Sequence, residues 1–254
     1  MSNLPAGVFL FMLAFAAAII GIGGFVALRT LRRLQALQSA RQIYPKDARP
    51  GYFRVDGIAR STKKLLAPLT RSPCLWYLLK VDKYEYRSGS GNNSKDSNWT
   101  TQRSEVSEVP FLVAWEGHTL SVDPTAAEIT PTDKSQWQGA NEEPDERNPR
   151  RFKPDESPHN TGFQVTVSGG PNSKYRYFEE RIYDGDAIFV LGEISESGKG
   201  KFTIGNPAGA KPFLIATTEP GKHADLLRKG IIGALFISGI GVALMGLFMW
   251  LRWG

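Results

Sequence analysis

The chain has 254 residues, room for one or two ordinary domains, and a formal net charge of +6. The placement of that charge excludes a nucleic-acid-binding body. Residues 51–220 hold 21 Lys and Arg against 23 Asp and Glu, a net of −2, while the two flanking segments together hold +8; a nucleic-acid binder carries its basic residues on the folded domain.

Residues 1–4 form a short uncharged tail. The stretch from Pro5 to Leu28 then runs without a charge, and Gly230 to Leu251 does the same near the other end. A helix needs roughly 20 apolar residues to cross a bilayer core, so residues 5–28 and 230–251 are predicted as transmembrane helices. A cleaved leader is disfavoured because the basic residues follow the first run instead of preceding it. Residues 29–44 continue with Leu28, Leu31, Leu34 and Leu37 every third position and arginines between them. This predicts an amphipathic juxtamembrane helix, stopped by Pro45 and Pro50, whose arginines reach toward headgroups.

Residues 51–220 read mainly as β structure. Pro73–Tyr86 is rich in aromatic and apolar residues. Val109–Pro124 predicts a hairpin turning at Glu116-Gly117, and Tyr175–Ile194 predicts another turning at Asp184-Gly185-Asp186. Phe163–Val167, Lys201–Ile204 and Pro212–Ala216 add short strands. Two polar segments, 88–105 and 132–160, hold too few apolar groups to offset the entropy of ordering and are expected to be mobile loops.

Basic residues beside the helices set orientation and meet anionic headgroups. Arg29, Arg32, Arg33 and Arg41 lie after the first helix, and Lys222, Arg228 and Lys229 before the second. The positive-inside rule then places the central domain in the cytoplasm and both termini outside. Small residues recur at helical spacing: Ala14 with Ala18, Ala17 with Gly21, and Gly230 with Ala234 and Ser238. Such spacing lets backbones approach closely, so these seven residues are expected at a helix–helix contact within the chain, with self-association through a second face as the alternative.

Four phrases in order, LAPLTRSPCLWYLLKV, VPFLVAWEGHTLSVDPTAAEI, EERIYDGDAIFVLGEI and KPFLIATTEP, resemble the GIDE family, which includes mitochondrial membrane-anchored E3 ubiquitin ligases and prokaryotic relatives. The resemblance spans roughly residues 5 to 251. It implies an α+β membrane protein in which two transmembrane helices flank a β-rich, membrane-adjacent domain. In the ligases a RING follows the second helix; where it would begin, this sequence has only LRWG. A RING needs eight Cys and His ligands for two zinc ions, and this sequence has four such residues, Cys74, His118, His159 and His223. Ligase activity is therefore not carried over. Prokaryotic membership implies a multi-pass protein of the inner (plasma) membrane, working with another membrane-associated protein, LemA-type by analogy. The mitochondrial relatives hold this domain in the intermembrane space, opposite in sense to the arginine count.

No other residues assemble a catalytic, metal or cofactor pattern. Cys74 has no basic neighbour and reads as a packed thiol. Asp184 and Asp186 flank a turn glycine without the further ligands of a calcium loop. Glu179 and Glu180 point to opposite strand faces. SGSGNN lacks the Lys-Ser/Thr of a phosphate loop. The expectation is a non-catalytic scaffold of a stress- or envelope-linked assembly. The alternative is a lipid- or small-molecule-binding module, conceivably hydrolytic, whose pocket could use Trp76, Tyr77, Trp115, Tyr175, Tyr177 and Phe178; a ligase-like role follows from the family name alone.

Overall fold

The structure is a computed structural model that describes residues 5–87, 96–131, 133–144, 164–165, 174–198 and 200–253. The chain divides into two units: a helix pair from its two ends, and a β-rich unit, Arg41–Glu219.

The helix pair consists of α1 (Ala6–Ser39) and α2 (Pro220–Trp253), each 34 residues long. Both are long and apolar enough to cross a membrane, and 34 residues rise about 51 Å. The helices are antiparallel and meet along small residues. A Cβ at Gly23 would lie 2.9 Å from the Ala234 carbonyl, and one at Gly241 would lie 3.1 Å from the Ala16 carbonyl. Ala16, Ala27 and Leu34 are buried on α1, and Ala234 on α2. Phe9, Ala16 and Gly23 repeat every seven residues, as do Ala234 and Gly241, which is the period that keeps one stripe facing a partner. The expected contact residues divide accordingly. Ala234 and Ser238 pack on Gly23, and a Cβ on Gly230 would sit 3.8 Å from the Thr30 methyl. Ala14, Ala17, Ala18 and Gly21 are exposed, because the seam runs through Ala16, and a neighbouring residue turns about 100° away from it.

The amphipathic helix expected over 29–44 is shorter. Helix α1 ends at Ser39, with Ala40 extended (ψ 127°). Residues Gln42–Ile43 form strand β1, parallel to β2 (Gly51–Arg60), before a single 3₁₀ turn at Pro45–Asp47.

The β unit is built on a closed barrel. Strand β2 pairs with β7 (Phe111–Trp115), β7 with β8 (His118–Val122), β8 with β14 (Phe202–Gly205), β14 with β13 (Ala187–Glu196), and β13 returns to β2. Only β8 and β14 run parallel; the other four pairings are antiparallel. In chain order the strands stand 1-2-3-5-4 around the ring, the connectivity of a five-stranded OB-type barrel. Val55, Ala59, Phe111, Val113, Val190 and Ile204 fill its interior, as alternation along each strand requires. The predicted β7–β8 hairpin is present. Glu116 (φ 47°) and Gly117 (φ 82°) are both left-handed, the turn whose twist matches two antiparallel strands. At Gly192 the wall is tight, since a Cβ there would sit 2.8 Å from the Gly205 carbonyl.

Two insertions leave the barrel, after its first and third strands. The first carries β3 (Leu65–Leu66), β4 (Pro73–Cys74), β5 (Trp76–Arg87) and β6 (Asp96–Val106). The second carries β9 (Glu128–Thr130), β10 (Asp133–Gly139), β11 (Gln164–Val165) and β12 (Tyr175–Ile182). They meet in one sheet of order β11-β10-β12-β5-β6, while β9 pairs with β15 (Leu214–Ala216) on the barrel.

Three expectations change here. Residues 96–105, expected in a mobile loop, lie in β6, paired with β5 from Leu78↔Val106 to Arg87↔Asp96. The strand reads as a loop because none of its described side chains is buried; its order comes from the partner, through contacts such as Tyr84 on Trp99 (5.2 Å). Residues 133–139, from the second expected loop, form β10, antiparallel to β12; residues 88–95, 132 and 145–160 of the two loops lie outside the described residues. Finally, β12 and β13 are not a hairpin. They belong to different sheets, and the Asp184-Gly185-Asp186 turn carries the chain from one to the other.

Candidate functional site

The chemistry-bearing side chains of the β unit converge beneath one loop. The sequence APLTRSPC (Ala67–Cys74) leaves β3 and re-enters at β4, with Ala67 N–H donating to the Ser72 carbonyl (2.9 Å) and Arg71 N–H to the Ala67 carbonyl (2.9 Å). Arg71 is left-handed (φ 58°), so the loop turns sharply and aims its backbone N–H groups inward. Strand alternation on β12 puts Tyr177, Glu179 and Arg181 on the buried side, while Glu180 turns out to pair with Lys134 (2.9 Å). The Glu179 carboxylate accepts from Leu69 N–H (2.8 Å), from Thr70 N–H (3.3 Å) and from the Thr70 hydroxyl (2.5 Å).

Arg181 closes the cluster. Its guanidinium donates to Glu179 (3.1 Å), to Thr70 Oγ1 (2.8 Å), to Asp133 (2.6 Å) and to Ser135 (2.5 Å). The Tyr183 hydroxyl donates to the same Asp133 oxygen (2.5 Å). Burial alone would disfavour the arginine's charge, but Tyr183, Asp133 and Glu179 around it outweigh that and raise its pKa. Burial drives the Tyr183 phenol far up and pushes the Cys74 thiol up to about 12, helped by Glu179. Thr70 and Glu179 are at most 2 % exposed, and both are bonded to their neighbours. The arrangement ties the Ala67–Cys74 loop to β12.

A second polar group lies on the other face of the same sheet. Burial raises the pKa of Asp82, but hydrogen bonds from Arg176, Lys80 and Thr101 outweigh it and the carboxyl ends below its usual range. Arg176 is stacked over Trp99 (4.7 Å) and Phe178 (4.9 Å), a cation–π arrangement that orders this surface. Of the other aromatics, Trp76 and Tyr177 are core while Trp115 is exposed at the β7–β8 turn and stacked on Tyr44 (4.9 Å). Trp76 and Tyr177 pack in separate clusters of the core. Beside the closed cluster an open groove of about 600 Å³ runs between Ser61–Leu66 and the Cys74 and Tyr183 side chains.

The other singled-out residues have ordinary partners. Asp184 accepts from Arg60 (3.2 Å) and from Ser61 N–H (2.8 Å), and Asp186 accepts from Tyr183 N–H (2.8 Å). His118 is exposed. Among the described residues no three His, Cys, Asp or Glu side chains gather as a metal ion would need. In the helix pair Arg29, Arg32, Lys222, Arg228 and Lys229 are exposed and Arg33 half-buried, with Arg228 paired to Asp225 (3.0 Å); Arg41 is exposed in the β unit. The Thr70–Glu179–Arg181–Asp133 cluster was not visible in sequence, since Thr70 lies 109 residues from Glu179 and Asp133 lies 48 from Arg181.

Residues 81–222 match the model of the GIDE family, described as E3 ubiquitin ligase. The match covers more than half of the chain. The chain belongs to the GIDE family. The match begins within β5 and takes in the barrel's second to fifth strands. Neither the curated proteins nor the solved structures give a match. Within these 254 residues the family's RING cannot be assembled, because one cysteine and three histidines supply four of the eight ligands required.

Proposed function

We propose that this GIDE protein is a non-catalytic, membrane-anchored scaffold whose β unit binds another membrane-associated protein. The observation that carries this is the closed polar cluster. The buried carboxylates and guanidinium beneath the Ala67–Cys74 loop are consumed in hydrogen bonds within the protein, which suits a rigid platform. In this reading the apolar helices are its anchors, and the arginines and lysines flanking them argue for a β unit in the cytoplasm of a bacterial cell, with both termini outside. A LemA-type partner rests on family analogy alone.

Three measurements test this. Affinity purification of the full-length protein from detergent-solubilised membranes should recover a reproducible partner above tag-only controls, and a partner-free preparation would count against the scaffold. In a reconstituted ubiquitin-transfer reaction the protein should give no ubiquitin chains above a no-ligase control. Protease added to intact spheroplasts should leave the β unit whole; digestion from outside would reverse the orientation.

A further inference from the structure

The groove beside the polar cluster is more than a packing gap. Its volume of about 600 Å³ falls within the ~300–1,000 Å³ range of small-ligand sites. Its floor is apolar, made by Leu65, Pro73, Cys74 and Tyr183, and Leu66 stands at its edge 54 % exposed. A lone exposed leucine is ordinary; here it borders a cavity instead of a flat surface. The walls are fixed on both sides. Thr62 Oγ1 donates to the Pro110 carbonyl (2.5 Å), Ser61 Oγ donates to the Lys63 carbonyl (2.6 Å), and Leu65 and Leu66 pair with Cys74 and Pro73. The floor residue Tyr183 is held from below by Asp133 (2.5 Å). The groove is therefore preformed and cannot close over its apolar floor by simple collapse.

Charge at the rim is one-sided. Lys63 and Lys64 are exposed, line the groove, and have no carboxylate partner among the described residues. The acidic lining residue, Asp184, is already bound by Arg60 and by Ser61 N–H. An apolar trough with free cations at one lip matches an amphiphile with an anionic head. We infer that the groove takes one acyl chain of an anionic lipid, with the headgroup anion on Lys63 and Lys64. Lipid is the occupant because the same chain carries two helices long and apolar enough to cross a membrane; this step rests on the membrane anchoring proposed above.

The test uses the full-length protein in nanodiscs containing phosphatidylglycerol with a diazirine on its acyl chain. After irradiation, adducts are mapped by peptide mass spectrometry. The expected result is labelling of both helices and of residues 61–74. Lys63→Ala combined with Lys64→Ala should lower the groove adduct more than tenfold relative to the helix adducts, since each lysine contributes roughly fivefold. Leu66→Glu should remove it while the helix adducts persist. Both substitutions are at exposed positions, and a wild-type melting temperature checks that each variant is folded. A phosphatidylcholine probe should label the groove as weakly as the lysine variant does. Adducts confined to the helices overturn the groove site alone, whereas unlabelled helices overturn the anchoring. Equal groove labelling by both lipids, or labelling unchanged by Leu66→Glu, also sinks the inference, as would a groove that is occupied by an acidic apolar peptide but never by lipid.

Discussion

Glu179→Leu is the most discriminating perturbation of the β unit. The side chain is fully buried and accepts from two backbone N–H groups, one hydroxyl and one guanidinium. Leucine preserves much of the volume and removes every acceptor. Two stranded backbone donors cost about 1–3 kcal/mol each. Arg181 keeps Asp133 and Ser135, so the ~3–5 kcal/mol for breaking a buried ion pair bounds the total from above. A loss of about 4 kcal/mol follows, and at ~2–4 °C per kcal/mol for a unit of this size the melting temperature should fall by roughly 8–16 °C. The neighbouring Glu180 is the internal control, because its bond to Lys134 is partly exposed on both sides. Glu180→Leu should cost less than about 1 kcal/mol. Thermal melts of the full-length protein in detergent, followed by tryptophan fluorescence with Trp76 and Trp137 as buried reporters, compare the two. Melts within about 2 °C of each other would refute the view that the cluster clamps the loop.

The remaining predictions concern titration and helix packing. With the Cys74 thiol pushed from 9.0 up to about 12, its thiolate fraction near pH 8 falls about a thousandfold, and alkylation should be correspondingly slow until urea unfolds the chain; rapid labelling of the folded protein would contradict its burial. Burial also lifts the Tyr52 phenol to about 12, so both groups hold protons more tightly folded than unfolded. Their contribution is complete below about pH 9 and declines as pH rises toward 12, which urea midpoints at pH 8, 9.5 and 11 will show as a progressive fall. Gly23→Val would drive a side chain into the Ala234 carbonyl and Ser238, whereas Gly24→Ala meets open space. A cysteine pair at positions 16 and 241, placed in a Cys74→Ala background, should crosslink within one chain, lose most of that crosslink with Gly23→Val and keep it with Gly24→Ala.

What could be read in advance follows from the range of the forces involved. The two apolar helices are legible because uninterrupted hydrophobicity is a local property, and so is the Glu116-Gly117 hairpin, whose turn chemistry is contained in two residues. Strand β6 was not legible: its polar sequence carries no alternation of its own and is ordered by pairing with β5. The same limit misplaced β12 and β13. A glycine turn between two apolar runs looks like a hairpin in sequence, and only the non-local pairing of β12 with β5 and β10, and of β13 with β2, shows that the turn links two sheets. On the helices, four-residue spacing found the α2 residues that face the partner, Gly230, Ala234 and Ser238, but on α1 it missed the stripe, which follows a seven-residue period through Ala16 and Gly23.

The barrel connectivity gives the cluster its architectural meaning. Insertions after the first and third barrel strands are far apart in sequence, and the apolar side chains of each, such as Leu79 and Val81 from the first and Trp137 and Tyr177 from the second, are buried against the other. Joined in one sheet, they place Glu179 and Arg181 from one insertion beneath Leu69 and Thr70 from the other, so the ion cluster acts as a register lock between two excursions from the same barrel. That lock also fixes both sides of the lipid groove, since Asp133 holds Tyr183 at its floor and Glu179 holds the loop between its two strands. Glu179, Arg181 and Asp133 are turned inward, while Tyr183, held by Asp133, also forms the groove floor below Lys63 and Lys64, so the lock and the ligand groove share a residue.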